Sequence, residues 1–401
     1  MRSSEKRATG RLATRTLTDI VGNVRDTHKA VAKRVFGWGP RVTLPVKVIH
    51  NPIAAIVYGS ILGGEFALGF TAAEAFAATK DSGVPLGSTL RGNFALSAVN
   101  GTLGDELDEQ GNPLSIKMAV RRDRVNVGLR PADLAAAFPA ATPKLAVFMH
   151  GLGGSEDAWH LRSGRRDGES HGSLLASEHG YTPVEVRYNS GLHVAENGRQ
   201  LAALLDVVVA AWPTEVDEII LLGHSMGGLV IRSACDQADE NGWVSTVRHV
   251  FYLGTPHTGA PLERGVSRLI ERLVKVEEGR PLATFLDKRS VGIKDLHSGS
   301  YAPLLDSTKH YAVSASITAD PDHPVALLVG DLLVLPASAH GKGHLDFPEH
   351  HKHHVGRLTH FGLLNNPAVY DAMSEWLTLK GDHSSSDSTR RNERAPEPAI
   401  S

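Results

Sequence analysis

The chain has 401 residues, 41% of them hydrophobic, which is enough to bury the core of one large domain or of two modest ones. The formal net charge of −2 excludes a general electrostatic attraction to nucleic acid. Cys235 is the single cysteine, which excludes an intramolecular disulfide. The charged start has no apolar run of the kind found in a cleaved signal peptide, so we expect a cytoplasmic protein, with membrane association as an alternative.

Residues 1–85 are predicted to form a helical N-terminal extension. Over residues 1–41, arginine and lysine alternate with aliphatic residues, as in a basic amphipathic helix. Such a helix suits either an anionic membrane surface or a solvated face packed on the protein's own domain or a partner. Residues 52–79 are apolar almost throughout, but Glu65 favours a buried helix pair or an interfacial element over a bilayer span. Peripheral membrane association through residues 1–79 is therefore one hypothesis.

The next part of the chain, up to about residue 130, has the composition of short extended segments. Residues 93–99 and 114–121 resemble strands, and Asn100-Gly101 has the composition of a turn. This pattern predicts a hairpin-rich entry to a sheet.

Short apolar runs then alternate with segments of helical spacing. Strands are predicted at residues 145–149, 184–188, 219–222, 250–253 and 310–316. Helices are predicted at residues 198–211, 226–234 and 367–377. This alternation predicts an α/β protein with a doubly wound, mostly parallel sheet.

Two further segments complete the predicted domain organisation. Residues 258–310 follow a core strand and have aliphatic residues at helical spacing, which indicates an inserted cap or lid. Residues 380–401 carry too little apolar surface to fold and are predicted to be a disordered tail. The α/β domain itself is predicted to span residues 86–379.

Ser225 lies at the apex of a predicted strand, turn and helix. Gly223 and Gly227 stand two residues to either side, as in the pattern G-x-S-x-G. Missing side chains at these positions permit a sharp turn that exposes the serine hydroxyl above the end of the sheet. The bare motif often arises by chance, whereas its position between an apolar run and a helix is specific. Ser225 is therefore the predicted nucleophile.

Five segments carry a resemblance to a known family. They are His150-Gly151-Leu152-Gly153-Gly154, Gly223-His224-Ser225-Met226-Gly227-Gly228, Leu253-Gly254-Thr255-Pro256-His257-Thr258-Gly259, Gly330-Asp331 and Thr359-His360-Phe361-Gly362-Leu363-Leu364. In this order the chain resembles the α/β-hydrolase superfamily, and within it bacterial serine lipases and esterases of the PGAP1-like group. The resemblance covers about residues 143–379 and does not explain residues 1–85.

The resemblance implies an α/β-hydrolase fold and a serine carboxylic-ester hydrolase that forms an acyl-enzyme. It implies Ser225 as the nucleophile, His360 as the base and Asp331 as the acid that orients the base. The backbone N–H groups of Leu152 and Met226 are the expected oxyanion hole. Neither a metal nor an organic cofactor is required by this chemistry.

Neighbouring residues remain alternatives for the base and the acid. Only His360 has flanking residues that match the family pattern; the other candidates are His340, His344, His350, His351, His353 and His354. This histidine cluster is interpreted as a solvated polar loop, with a metal site as the alternative. The apolar surroundings of Asp331 favour it, because a carboxylate there needs a partner. Its rivals are Asp320, Asp322 and Asp346.

Two other functions use the same residues. An acyltransferase or amidase would differ only in the attacking or leaving group that the pocket admits. A membrane-associated scaffold with an inactive hydrolase domain is the hypothesis from a different class, and the presence of both Ser225 and His360 argues against it. The expected ligand is a small-molecule ester, and the apolar N-terminal region favours a lipid-like one. No nucleic acid partner is expected, and the sequence does not determine the oligomeric state.

Overall fold

The computed structural model describes residues 2–12, 15, 26, 29, 83–161, 168–259, 290–298, 302–345 and 347–379. Within these ranges the strands are β1 (Ala119–Arg122), β2 (Val125–Asn126), β3 (Lys144–Met149), β4 (Thr182–Arg187), β5 (Glu218–His224), β6 (Val247–Leu253), β7 (Lys309–Ser316) and β8 (Lys352–Gly356). They form one sheet in the order β2-β1-β4-β3-β5-β6-β7-β8. β1 pairs antiparallel with β2 and β4, and the remaining neighbours pair in parallel.

Helices cover both faces of this sheet. They are α1 (Leu90–Glu109), α2 (Pro131–Ala137), α3 (His171–His179), α4 (Val194–Ala211), α5 (Met226–Gln237), α6 (Val291–Ser298), α7 (Pro324–Val329), α8 (Pro336–Ala339) and α9 (Pro367–Thr378). Alternate residues of β5 enter different cores: Ile219 and Leu221 pack with α4 and α5, and Ile220 and Leu222 pack with α3 and α9. The prediction of a doubly wound, mostly parallel sheet is confirmed.

The prediction of extended segments over residues 93–99 is wrong. These residues belong to α1, a helix of 20 residues. Asn100, predicted to lie in a turn, is buried, and its side chain donates to Leu114 O at 2.8 Å and accepts from Ile116 N–H at 2.9 Å. These hydrogen bonds join α1 to the chain that leads into β1, so tertiary contacts outweigh the local turn signal. A hairpin does form between β1 and β2.

Two members of the histidine cluster differ from its prediction as a solvated loop, whereas His344 and His350 are exposed outside the strands. His353 and His354 lie on β8, at the edge of the sheet. His354 Nδ1 is 2.8 Å from the hydroxyl of Ser314 on β7. Because β8 pairs with β7 along its whole length, these histidines are partly buried strand residues.

The described part of the N-terminal region packs against α1. Residues 3–12 are helical, and Ala8 belongs to a small core with Leu96 and Leu107 of α1. The Glu5 carboxylate accepts from Leu86 N–H at 3.0 Å. The apolar stretch 52–79, most of the predicted cap and the predicted tail lie outside the described residues. None of the helices within the described ranges has the length and hydropathy of a bilayer-crossing segment.

Candidate active site

Ser225 occupies the turn between β5 and α5. Its φ of 55° and ψ of −126° lie in a region that non-glycine residues rarely adopt, and such strain costs about 1–3 kcal/mol. The turn is held by the neighbouring strand, because Ser225 N–H donates to Leu253 O at 2.9 Å. Its side chain is partly exposed at the carboxyl end of the sheet. The strained backbone therefore presents the hydroxyl where open α/β sheets place their sites.

The two motif glycines are required by close backbone packing. A Cβ on Gly227 would lie 2.3 Å from Met149 O, and a Cβ on Gly223 would lie 2.5 Å from Gly228 Cα. Both separations are shorter than any van der Waals contact. The G-x-S-x-G pattern thus has a steric cause in this chain.

Asp331 and His360 meet in the loops that follow β7 and β8. His360 Nδ1 lies 2.7 Å from Asp331 Oδ2, and the two residues are 2% and 1% exposed. Asp331 Oδ1 accepts from the N–H groups of Leu333 at 3.0 Å and Val334 at 2.8 Å. The carboxylate therefore has hydrogen-bond donors for both oxygens. With Nδ1 donating to Asp331, the neutral imidazole keeps Nε2 as an acceptor.

Both Ser225 and His360 adjoin the carboxyl end of β6. The His360 ring packs on Gly254, where a Cβ would lie 3.1 Å from Cε1. Leu253, the residue before, accepts the Ser225 N–H. Within the described part of the chain, the buried His360 Nε2 has no hydrogen-bond partner, and no bond joins it to the Ser225 hydroxyl. The structure thus brings Ser225, Asp331 and His360 to the carboxyl end of the sheet without forming the serine–histidine hydrogen bond.

His224 packs beside His360 without adding charge. The two ring centroids are 4.7 Å apart, and His224 Nε2 lies 3.3 Å from His360 O. Burial lowers the pKa of His224 well below its usual value. His224 is therefore neutral near pH 7, consistent with a packing role.

His257, in the loop after β6, is also buried. Its Nδ1 lies 3.2 Å from Arg232 Nη1, and burial followed by the charge of Arg232 lowers the pKa of His257 well below its usual value. Its contact with Arg232 requires Nδ1 to act as the acceptor. It therefore packs as a neutral side chain behind the strand ends.

The predicted oxyanion donors lie on either side of Ser225. Met226 is the first residue of α5, so its N–H has no acceptor within the helix. A Cβ on Gly151 would lie 2.9 Å from Ser225 Cβ, which places Leu152 in the segment that touches the serine. Among the hydrogen bonds of the described residues, none is donated by the N–H of Leu152 or Met226. Neither N–H group is therefore committed to another acceptor among the described residues.

The loop after β3 is anchored by residues that the motifs do not indicate. Tyr188 OH donates to His150 O at 2.7 Å, and the two rings stack at 4.3 Å. Gly153 N–H donates to the hydroxyl of Ser190 at 2.9 Å. Ser190 has no local signature, because its role depends on a contact between two loops. The side chain of Asn189, the residue before Ser190, donates to Gly104 O at 2.8 Å.

The rival residues lie elsewhere. Asp320 and Asp322 are exposed, and Asp346 lies outside the described residues. The imidazole of His354 contacts Ser314 and Ser316. No group of three or more metal-binding side chains occurs in the part of the chain that the structure describes.

Comparisons with known proteins are informative about the domain. A model of the PGAP1-like alpha/beta domain matches residues 146–283, a minority of the chain. This range contains the loop after β3 and Ser225, and it ends before Asp331 and His360. Among curated proteins, no significant sequence match is found.

Several solved structures are similar to the chain. The mature form of Bacillus licheniformis lipase BlEst2 is 21% identical, with a TM-score of 0.41, over 59% of this chain and 92% of that one. Its propeptide form is 21% identical, with a TM-score of 0.45, over 65% and 53%. An alpha/beta hydrolase fold protein from Chitinophaga pinensis is 12% identical, with a TM-score of 0.37, over 59% and 90%. Residues 146–283 thus match the model of a PGAP1-like alpha/beta domain, and the described strands of this region belong to a doubly wound, mostly parallel sheet.

Proposed function

We propose that the protein is a serine carboxylic-ester hydrolase. Ser225 is the nucleophile, His360 the general base and Asp331 the acid that orients it. The observation that carries the proposal is the buried 2.7 Å contact between His360 Nδ1 and Asp331 Oδ2, at the same sheet edge as the strained turn of Ser225. A carboxylate at Nδ1 selects the tautomer whose Nε2 can accept a serine proton.

The reaction has two halves. In the first, the Ser225 oxygen bonds to the acyl carbon while its proton moves to His360 Nε2. The tetrahedral intermediate then expels the alcohol oxygen, which takes the proton from His360 and leaves acyl-Ser225. In the second, water attacks the acyl carbon as it gives a proton to Nε2, and Ser225 departs with that proton while the acid is released.

The backbone donors stabilise the charge that develops on the carbonyl oxygen. In this proposal the N–H groups of Leu152 and Met226 receive it, since both lack an acceptor among the described residues. A single donor of this kind lowers the activation free energy by about 3 kcal/mol. Fixed backbone groups suit the task because they need no reorganisation during the reaction.

The proposal requires the Ser225–His360 hydrogen bond to form when substrate binds. Catalytic hydrogen bonds are often long or absent before the substrate is bound. His360 Nε2 has no hydrogen-bond partner among the described residues that would compete for the Ser225 proton.

We favour a lipid-like ester as the substrate class. Phe361 and Leu332 directly follow His360 and Asp331, and they are 53% and 55% exposed. Large apolar side chains exposed beside a site suit an apolar acyl chain or a lipid surface. We therefore expect a lower KM for esters of long acyl chains than for esters of short ones.

A serine-directed probe tests the proposal. Purified protein is treated with a fluorophosphonate, and turnover of short and long p-nitrophenyl esters is measured beside Ser225→Ala. Ser233→Ala, which removes another buried hydroxyl of α5, serves as the control. We expect labelling and turnover in the wild type and in the control, and neither in Ser225→Ala. A folded wild type that is neither labelled nor active contradicts the proposal.

Acyl transfer is distinguished in the same assay by adding an alcohol. If the ester of that alcohol becomes the main product instead of the free acid, the protein is an acyltransferase on the same three residues. A product that is mainly acid supports hydrolysis.

A further inference from the structure

A hydroxyl outside the five motifs holds the loop that follows β3. Gly153 N–H donates to Ser190 Oγ at 2.9 Å, and Ser190 is 1% exposed. Gly153 follows Leu152, whose N–H is one of the two proposed oxyanion donors. Because the peptide unit is planar, fixing the Gly153 N–H fixes the whole plane that joins these residues. The direction of the Leu152 N–H relative to this plane then depends only on the φ and ψ of Leu152.

Gly153 also packs closely against α1. A Cβ on Gly101 would lie 2.8 Å from Gly153 Cα and 2.9 Å from its nitrogen. The same Cβ would be 3.5 Å from Ser190 Oγ. Gly153 has a φ of 64°, which a residue with a side chain rarely adopts. The backbone of this loop is therefore in close contact with α1 and with a buried hydroxyl.

The two residues that flank Ser190 are fixed by hydrogen bonds to three helices. Asn189 Nδ2 donates to Gly104 O of α1 at 2.8 Å. Asn197 of α4 donates to Asn189 O at 3.0 Å. Gly292 N–H of α6 donates to Gly191 O at 3.0 Å. The turn that carries the Ser190 hydroxyl thus has a defined position relative to the sheet.

We propose that Ser190, backed by Gly101 of α1, is a positioning residue for the oxyanion loop. Its hydroxyl holds Gly153 so that the preceding N–H, on Leu152, faces the carbonyl oxygen of an ester attacked by Ser225. This inference rests on the proposed function. Oxyanion donors act on charge that appears only in the transition state, so a misplaced donor lowers kcat and leaves KM almost unchanged.

Two substitutions of Ser190 test this role. Ser190→Ala removes the acceptor, and Ser190→Cys keeps the size of the side chain with a much weaker acceptor. Ser314→Ala is the matched control, because Ser314 is equally buried and its hydroxyl is 2.8 Å from His354 Nδ1, away from the loop. Thermal unfolding of every variant is measured beside kcat, KM and the rate of fluorophosphonate labelling.

For both Ser190 variants we expect kcat and the labelling rate to fall by about tenfold, with KM within about twofold of the wild type. Ser314→Ala should lose thermal stability comparably and keep the wild-type kcat. Equal kcat in the Ser190 variants and the control, or a raised KM with unchanged kcat, overturns the inference alone. A folded wild type without labelling or turnover overturns both the proposed function and this inference.

Discussion

The turn at Ser225 and the Asp331–His360 pair are built in opposite ways. The turn is local and strained: its φ of 55° is maintained by the strand before it, the helix after it and two glycines that no other residue could replace. The pair joins two loops and is held by side-chain contacts, since both carboxylate oxygens have hydrogen-bond donors. One half of the site therefore depends on backbone strain at the serine itself, and the other half on hydrogen bonds between distant segments. Substitutions should separate these contributions.

Replacing Ser225 should have the largest effect on activity. Ser225→Ala and Ser225→Gly both remove the hydroxyl, and we expect kcat to fall by about 10⁴-fold or more in each. They should differ in stability, because glycine adopts the positive φ without strain. The free energy of unfolding, measured with urea, should be about 1 kcal/mol larger for Ser225→Gly than for Ser225→Ala. Equal stabilities would show that the turn is not strained.

Asp331→Asn should reduce kcat by about 10³–10⁴-fold, because an amide no longer selects the tautomer of His360 or stabilises its charge. Asp322→Asn is the control, since Asp322 is exposed and lies in the same connection after β7. Steady-state hydrolysis of a p-nitrophenyl ester measures both. An Asp331→Asn variant with wild-type kcat would remove Asp331 from the proposed site.

Gly227→Ala tests the packing of the turn. Its Cβ would lie 2.3 Å from Met149 O, so we expect a loss of about 3 kcal/mol or more in the free energy of unfolding. Gly111→Ala is the control for an added methyl group without a clash, because Gly111 has a positive φ, of 57°, but nothing lies within 4 Å of an added Cβ. That substitution should cost only about 1 kcal/mol of backbone strain. Similar losses in urea unfolding would contradict the steric argument.

Acidification should weaken both halves of the site through buried histidines. His150 lies beside the turn and His310 on the strand that leads to Asp331, and burial lowers the pKa of each to about 4. Between the ordinary value of 6.5 and about 4, the unfolded chain binds these protons and the folded chain does not. The free energy of unfolding should therefore decrease as the pH is lowered, by at most about 1.4 kcal/mol per pH unit for each histidine.

Urea unfolding at pH 7.5 and pH 5.5 measures this effect. His310→Gln should flatten the dependence, because it removes one of the buried histidines whose pKa is lowered. A wild-type unfolding free energy that is the same at both pH values would show that these histidines are protonated in the folded protein.

Local parts of the molecule were the most predictable from sequence. The apolar run of β5 and the glycines around Ser225 act within a few residues, so the strand, turn and helix were predicted correctly. The helix α1 was not, because Asn100 and Gly101 favour a turn locally and only contacts with the chain before β1 and with Gly153 give them a helical role. The strand β8 was missed because its histidines have no apolar alternation.

Contacts between distant segments account for the remaining gaps. Ser190 meets the loop after β3 only in the folded structure, so no motif marks it. The contact between Asp331 and His360 was expected from family resemblance and not from spacing. Their catalytic roles, the predicted cap and the N-terminal membrane association stay predictions.

The most direct test of the account is to locate the probe adduct. Wild-type protein is labelled with a fluorophosphonate, its intact mass is recorded, and the modified peptide is sequenced by mass spectrometry. The account predicts one adduct per chain, on Ser225 at the turn between β5 and α5, and none in Ser225→Ala. An adduct on a different residue, or a folded wild type that carries none, would contradict the central claim that Ser225 is an activated nucleophile.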